Sequence, residues 1–360
     1  MNHRVRNIVI LGLSAMLLVL TSLAEDQLES KPLQHWIDVA KTASGVERIE
    51  AIKAIGTFGP EAKLALPVLI PALSDSNRRV LNEAATAIHH IGPDARDAMK
   101  TLLDLLASDN PDTRRAAIYA IEGIGPAAEE AIPALIPSLH DDNFHNQYFA
   151  CRALGQIGSK SRIAVPDLLD ILKEGNPSVR RNAAAALGKI GPEIGEQAIT
   201  ALIEALGDKM DPVRENVAIA LGRIGPPAKS SVKALNEALD NEKITARPKV
   251  IKALWLITND ADRSVELLTK ELSNYDTQLD ASYTLAEMGP LAKAALPALK
   301  RMSESDDPEN RSAAIGALAE IAPEATDVQS LIKERLQDAD EDVRKVAQEA
   351  LKQLKIEVRE

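Results

Sequence analysis

His140 and His145 flank Asp141 and Asp142, a grouping of imidazoles and carboxylates that could in principle chelate a cation. The expectation is nevertheless a solvated polar turn. His89 and His90 are adjacent, so on a helix their side chains diverge by about 100° and cannot easily share a metal. Asp338, Asp340, Asp342 and Glu349 imitate the first, third, fifth and twelfth places of a calcium loop, but the sharp-turn glycine required at the sixth is Val343. Those acids are expected to supply favourable charge at the N-terminus of a helix. The single cysteine, Cys151, cannot form an internal disulfide and is expected as a small buried hydrophobe. No phosphate loop, nucleophile elbow, Cys-x-x-Cys or His-Glu-x-x-His motif is present in the chain beyond its N-terminal apolar run. No catalytic residue, cofactor or metal site is therefore expected.

Anion binding is the other chemistry the residues invite. Arg48, Arg114, Arg180, Arg214, Arg247, Arg311 and Arg344 recur regularly, with Leu81, Gln147 and Gln278 breaking the series. Asp75, Asp109, Asp141, Glu174, Asp208, Asp306 and Asp338 recur five or six places ahead of the same positions. An unpaired arginine row could track a polyanion. Acids at nearly matching spacing favour the opposite expectation, that each arginine pairs with a carboxylate of its own or the next turn.

The elements behind this regularity repeat roughly every 33 residues, a period that marks a stacked array. Gly59, Gly92, Gly125, Gly158, Gly191, Gly225 and Gly289 mark successive copies, with Thr258, Ala322 and Lys355 in the same place elsewhere. Four residues before each marker stands Ile or Leu, eight before it Ala or Val, and five before it Ala in every copy except Thr284. Such spacing places the apolar residues on one helical face. The helix stops at Gly-Pro, where Gly takes the left-handed cap and Pro bars continuation. A shorter helix precedes it, opening near the proline of Ala65-Leu66-Pro67 and its equivalents. Pro71 and Pro137 are expected to kink or shorten that first helix. With 2% aromatic residues and so much alanine, the second helices should approach toward the short end of about 8–10 Å. The expected fold is all-α, an α-α superhelix of about ten helix-pair repeats in a single solenoid over residues 25–360, with Trp36 in the capping first helix.

The Gly-Pro turn, the Ala-Leu/Ile-Pro helix start, the Asp-rich turn and the Val-Arg helix opening together resemble HEAT repeats, particularly the phycobilisome-lyase type, from about residue 33 to 355. The resemblance implies a HEAT-like solenoid, and a function among adaptors, scaffolds and a few enzymes. Enzymes of this kind that hold iron use repeated His-Glu pairs, a dipeptide absent here. Related bilin lyases act in the cytosol, whereas this chain begins like an exported one. Residues 1–24 read as a signal peptide: Arg4 and Arg6, the apolar run from Ile8 to Leu20, then Ser22-Leu23-Ala24. Its removal would take the charge from −11 to −13, leaving 40 basic against 53 acidic residues, since two arginines and no acid are lost. An acidic chain without basic runs argues against nucleic acid, and no membrane insertion is expected after cleavage.

Partners should meet the variable positions of the second helices, which line the concave face of such arrays. An aromatic and arginine cluster stands out there: His90, Tyr119, Tyr148, Phe149 and Arg152, residue types favoured as interface anchors. Trp255 is a further candidate, although a tryptophan filling irregular packing is the more economical account. Its repeat lacks the Gly-Pro turn and the following repeat is short, so a change of curvature or a weak seam is expected over residues 240–289. The function expected is an exported, non-enzymatic protein-binding scaffold of the periplasm or envelope. The alternatives are an enzyme of the bilin-lyase type and a self-associating envelope protein.

Overall fold

A computed structural model describes residues 31–240 and 246–356. The predicted signal segment lies outside them. The described residues are helical with no strand, and no helix among them is long and apolar enough to cross a membrane.

The chain divides into two compact units, meeting in sequence at Ala164 and Val165. In the first, helix pairs follow one another: α1 (Leu33–Thr42) with α2 (Gly45–Thr57), α3 (Leu66–Ala72) with α4 (Arg78–Ile91), α5 (Met99–Leu106) with α6 (Pro111–Ile124), and α7 (Ile132–Leu135) with α8 (Phe144–Ile157). The second contains α9 (Val165–Glu174) with α10 (Pro177–Ile190), α11 (Glu196–Ala205) with α12 (Asp211–Ile224), and α13 (Val232–Leu239) with α14 (Arg247–Thr258). It continues with α15 (Ala261–Glu271) and α16 (Gln278–Met288), α17 (Leu296–Met302) and α18 (Pro308–Ile321), and α19 (Thr326–Glu334) and α20 (Glu341–Gln353). Most copies open with a 3-10 turn such as Gly59–Ala65 before the first helix starts at its proline. Pro137 has the expected effect: α7 is only four residues long and gives way to a 3-10 turn over Pro137–His140.

Each marker glycine from Gly59 to Gly289 has a positive φ, which is why glycine recurs there. With ψ near −140°, as at Gly92, these glycines lie outside the left-handed helical cap that the sequence predicts. Asn259, which follows Thr258 where that residue replaces the marker, does take that cap (φ 59°, ψ 21°), and asparagine tolerates it. The second helices open on side-chain caps. Asn77, Asn110, Asn143 and Asn176 each accept a backbone N–H of the first turn.

The alanine row has a packing cause. In α2, α10 and α12, Gly56, Gly188 and Gly222 stand three residues before the marker. A Cβ on them would lie 3.3, 2.6 and 3.0 Å from the Cα atoms of Ala87, Ala220 and Ala253. These are the alanines five residues before the next marker, so glycine on one helix meets alanine on the next and the backbones nearly touch. Trp255 and Thr284 break both halves of that contact at once. Accordingly α14 and α16 touch much more sparsely than other neighbouring second helices of their unit. The irregularity predicted over 240–289 is thus a local opening between two helices.

The arginine row is structural. Arg114, Arg180 and Arg311 clasp Asp141, Asp208 and Asp338 of the next repeat through two N–H···O bonds each, at 2.6–3.0 Å, and Arg48 and Arg247 reach Asp75 and Glu271. The same guanidiniums donate to carbonyls at the end of their own first helix, as Arg114 does to Ser108 and Asp109. The bridging arginines fall in every second repeat: Leu81, Gln147 and Gln278 occupy the position in three of the others, and Arg214 and Arg344 donate instead to the backbone carbonyls of Asp208 and of Asp338 and Ala339 in their own turns. The calcium-loop imitation dissolves the same way. Asp338 is held by Arg311, Asp340 caps α20, and Val343 is buried.

The guanidinium partners hold the Asp208 and Asp338 carboxyls below their ordinary value. For Asp141 burial pulls upward, but Arg114, the Asn143 N–H and Asn146 prevail and the value is again lowered. Depressed native values mean that this stability is fully present above the ordinary aspartate value of 3.8 and is lost as the pH falls through the native values. Urea midpoints are therefore expected to hold steady down to about pH 5 and to drop steeply below about pH 4. The drop should be shallower in the Asp338→Asn variant.

Candidate protein-binding face

Two clusters on second helices, one in each unit, bring aromatic or apolar side chains together with charged ones. In the first unit Tyr119 of α6 stacks on His89 of α4, with centroids 4.2 Å apart and planes within 6°. The Nδ1 of His89 lies 2.8 Å from the Tyr119 carbonyl oxygen. Phe149 of α8 meets Tyr119 edge-on at 5.6 Å, and Tyr148 meets Phe149 at 5.1 Å. Arg152 lies 5.6 and 5.7 Å over the rings of Tyr148 and Phe149. Its guanidinium pairs with Glu122 at 2.6 Å and donates to the Tyr148 hydroxyl at 3.2 Å. Burial and the Glu122 carboxylate push the Tyr119 phenol up, so it stays un-ionised. A shallow hollow of about 200 Å³ beside Tyr119 and Phe149 is edged by Arg115 and Thr86.

Tyr119, Tyr148, Phe149 and Arg152 therefore come together as the sequence suggested. His90 does not join them. It turns the other way, with its Nδ1 3.3 Å from the Gly56 carbonyl oxygen, and the neighbouring His89 takes the place beside Tyr119. Arg152 is also less free than an interface anchor should be, because it neutralises Glu122, whose side chain is 2% exposed. Glu122 stands where several other repeats carry the close-contact glycine, so this ion pair replaces the glycine–alanine contact between α6 and α8.

In the second unit the opening between α14 and α16 forms a groove of about 620 Å³ that extends to α12. Its floor is apolar, made by Ile219, Leu256, Tyr283 and the small Gly222 and Ala253. Leu256 is 38% and Tyr283 51% exposed. Lys249 pairs with Asp280 and Lys252 with Glu287 across the groove, and Arg223 stands at its edge. Trp255 is half-buried and does not line the groove; it marks the place where glycine would have let the helices close. Sequence reasoning missed Leu256 and Tyr283. The available signal was position, since Tyr283 sits six residues before its marker, as Tyr119 does.

Cys151 is fully buried and desolvation pushes its thiol up to about 12. It should resist a thiol reagent such as dithionitrobenzoate at pH 8 and react only on addition of denaturant. Asp141 is held by Arg114 and Asn146, and no group of three metal-ligating side chains occurs among the described residues.

The family model described as HEAT repeats matches residues 33–122, 99–165, 132–222, 165–255 and 265–352. A search of curated proteins found no match. Among solved structures, Kap121p bound to Ste12p is similar at 15% identity and a TM-score of 0.60, covering 92% of this chain and 45% of that one. An engineered protein is 22% identical with a TM-score of 0.46, covering 90% of this chain and 98% of its own. A designed armadillo repeat protein is 20% identical with a TM-score of 0.43, covering 54% of this chain and all of its own. The Kap121p likeness bears on the fold alone.

Proposed function

Because the chain belongs to the HEAT-repeat family, whose stacked helix pairs present long rows of variable side chains, we propose that it is a non-enzymatic scaffold binding protein partners along its second helices. The observation that carries this reading is the groove of the second unit. In a chain whose large apolar residues are mostly buried, Leu256 and Tyr283 stand open to solvent in a groove large enough for several residues of a partner. The polar rim of Lys249, Lys252, Asp280 and Glu287 suits an interface edge. The partner is a protein surface or segment, in keeping with an acidic chain that lacks basic runs.

The scaffold is further proposed to work outside the cytosol, in the periplasm or envelope. The support is the order Arg4 and Arg6, an apolar run, and Ser22-Leu23-Ala24. The intact mass of protein recovered from the native host tests this. A chain beginning at Glu25 is expected, and one retaining residue 1 in the cytosolic fraction contradicts it.

Binding is tested by affinity purification of the wild-type chain beside the Leu256→Glu variant, with both confirmed as folded by circular dichroism. A charge placed on the floor should remove the co-purifying partner. Equal recovery with both chains would contradict the reading.

A further inference from the structure

The groove of the second unit also carries a charge preference. Among the described residues, Lys249 is tied to Asp280 and Lys252 to Glu287, so each cation on α14 is already neutralised. Arg223, exposed on α12 at the edge of the same groove, pairs with no carboxylate among the described residues. The register explains why. Lys252, six residues before its marker, meets Glu287, two residues before the next. By that spacing the position preceding Arg223 would be Ala185, and neither it nor its neighbours Ala184 and Ala186 carries a carboxylate. The groove therefore presents one unsatisfied guanidinium beside an apolar floor of Ile219, Leu256 and Tyr283.

We infer that the occupant is an extended protein segment carrying a carboxylate for Arg223 and an apolar or aromatic side chain for the Leu256–Tyr283 floor. The inference rests on the protein-binding reading and specifies its ligand. Neighbouring second helices lie roughly 8–10 Å apart, and an extended chain rises about 3.3 Å per residue. The acid thus stands about three residues from the side chain over Leu256, and about six or more from the one over Tyr283, since α14 and α16 stand apart. A basic segment would leave Arg223 facing a like charge, and only the already paired Asp280 and Glu287 would attract it. The guanidinium makes the acid the discriminating feature chiefly by disfavouring a like charge in its place, since an exposed ion pair adds only modest affinity of its own.

The test is selection of a random twelve-residue peptide display library on the full chain, followed by fluorescence anisotropy with the enriched peptides. The expected enrichment is Asp or Glu about three, or about six or more, residues from Phe, Tyr, Leu or Ile. Tyr283→Ala should weaken such a peptide about ten-fold or more. Arg223→Glu should weaken it similarly and be rescued by changing the peptide acid to Lys. Arg223 and Tyr283 are exposed, and unchanged thermal melts would confirm that both variants keep the fold. Enriched peptides that are basic, or that bind Arg223→Glu unchanged, overturn the charge preference. If binding is instead lost with Tyr119→Ala and not with Tyr283→Ala, the groove assignment fails while the scaffold reading survives. No enrichment at all on the folded chain overturns both.

Discussion

Gly123→Ala is expected to destabilise the first unit by about 1–2 kcal/mol, against the usual direction for such a change in a helix. Alanine is favoured over glycine in a helix interior by about 1 kcal/mol, so propensity alone would stabilise α6. The added Cβ, however, would fall on the Cα and carbonyl oxygen of His89, closer than the 3.0 Å that real Cβ atoms keep. Both are backbone atoms of a packed helix and cannot swing aside, and overpacking of this kind costs about 1–3 kcal/mol or more. The clash outweighs the propensity, and the separation of α4 from α6 should also loosen the stack of His89 on Tyr119. Gly316 in α18 provides the control, because nothing lies within 4 Å of a Cβ there. Gly316→Ala should stabilise by about 0.5–1 kcal/mol. Urea denaturation of the two variants beside the wild type measures both signs. Destabilisation by both, or by neither, would contradict the packing account.

Arg152→Ala is expected to cost about 2–4 kcal/mol. Removing one partner of a buried ion pair typically costs about 3–5 kcal/mol, because the other charge is left without compensation. Glu122 is such a charge, since its side chain is 2% exposed and one carboxylate oxygen has no hydrogen-bond partner. Arg152 itself is 38% exposed, so water can follow its removal, and the lower figure allows for this. The contacts with Tyr148 and Phe149 are lost as well. Adding Glu122→Gln should recover most of the loss, because the amide is cheaper to bury than an unpaired carboxylate. A double variant as unstable as Arg152→Ala would mean that the ring contacts, and not the ion pair, hold α6 to α8.

These two positions mark where the sequence was legible and where it was not. The helix pairs, the positive-φ glycines and the alanine row follow from local rules of period, capping and side-chain size, and the folded chain keeps them; the left-handed cap itself appears at Asn259 and not at the glycines. The pairing of most of the recurring arginines with an acid of their own or the next turn was also readable, because donor and acceptor recur with the same period; Arg344 departs from it and donates to backbone carbonyls instead. The role of Arg152 was not, since its partner lies 30 residues away at a position where other repeats place glycine. His90 and His89 could not be told apart by composition, since adjacent helical residues face different neighbours and only packing decides which meets Tyr119. The groove escaped notice for a similar reason. It is an absence of contact, produced when Trp255 and Thr284 replace a glycine and an alanine on different helices. Each irregularity was visible alone, but their effect depends on the register that makes them face each other.

Docking of partners on second helices is tested most directly by crosslinking coupled to mass spectrometry on intact cells of the native host, with a tag placed after residue 360. Lys249 and Lys252 lie on α14 at the groove, whereas Lys100, Lys233 and Lys300 lie on the first helices α5, α13 and α17. The account predicts a stoichiometric partner crosslinked to Lys249 and Lys252. A partner crosslinked only to the first-helix lysines, or crosslinks confined to copies of this chain, would contradict it.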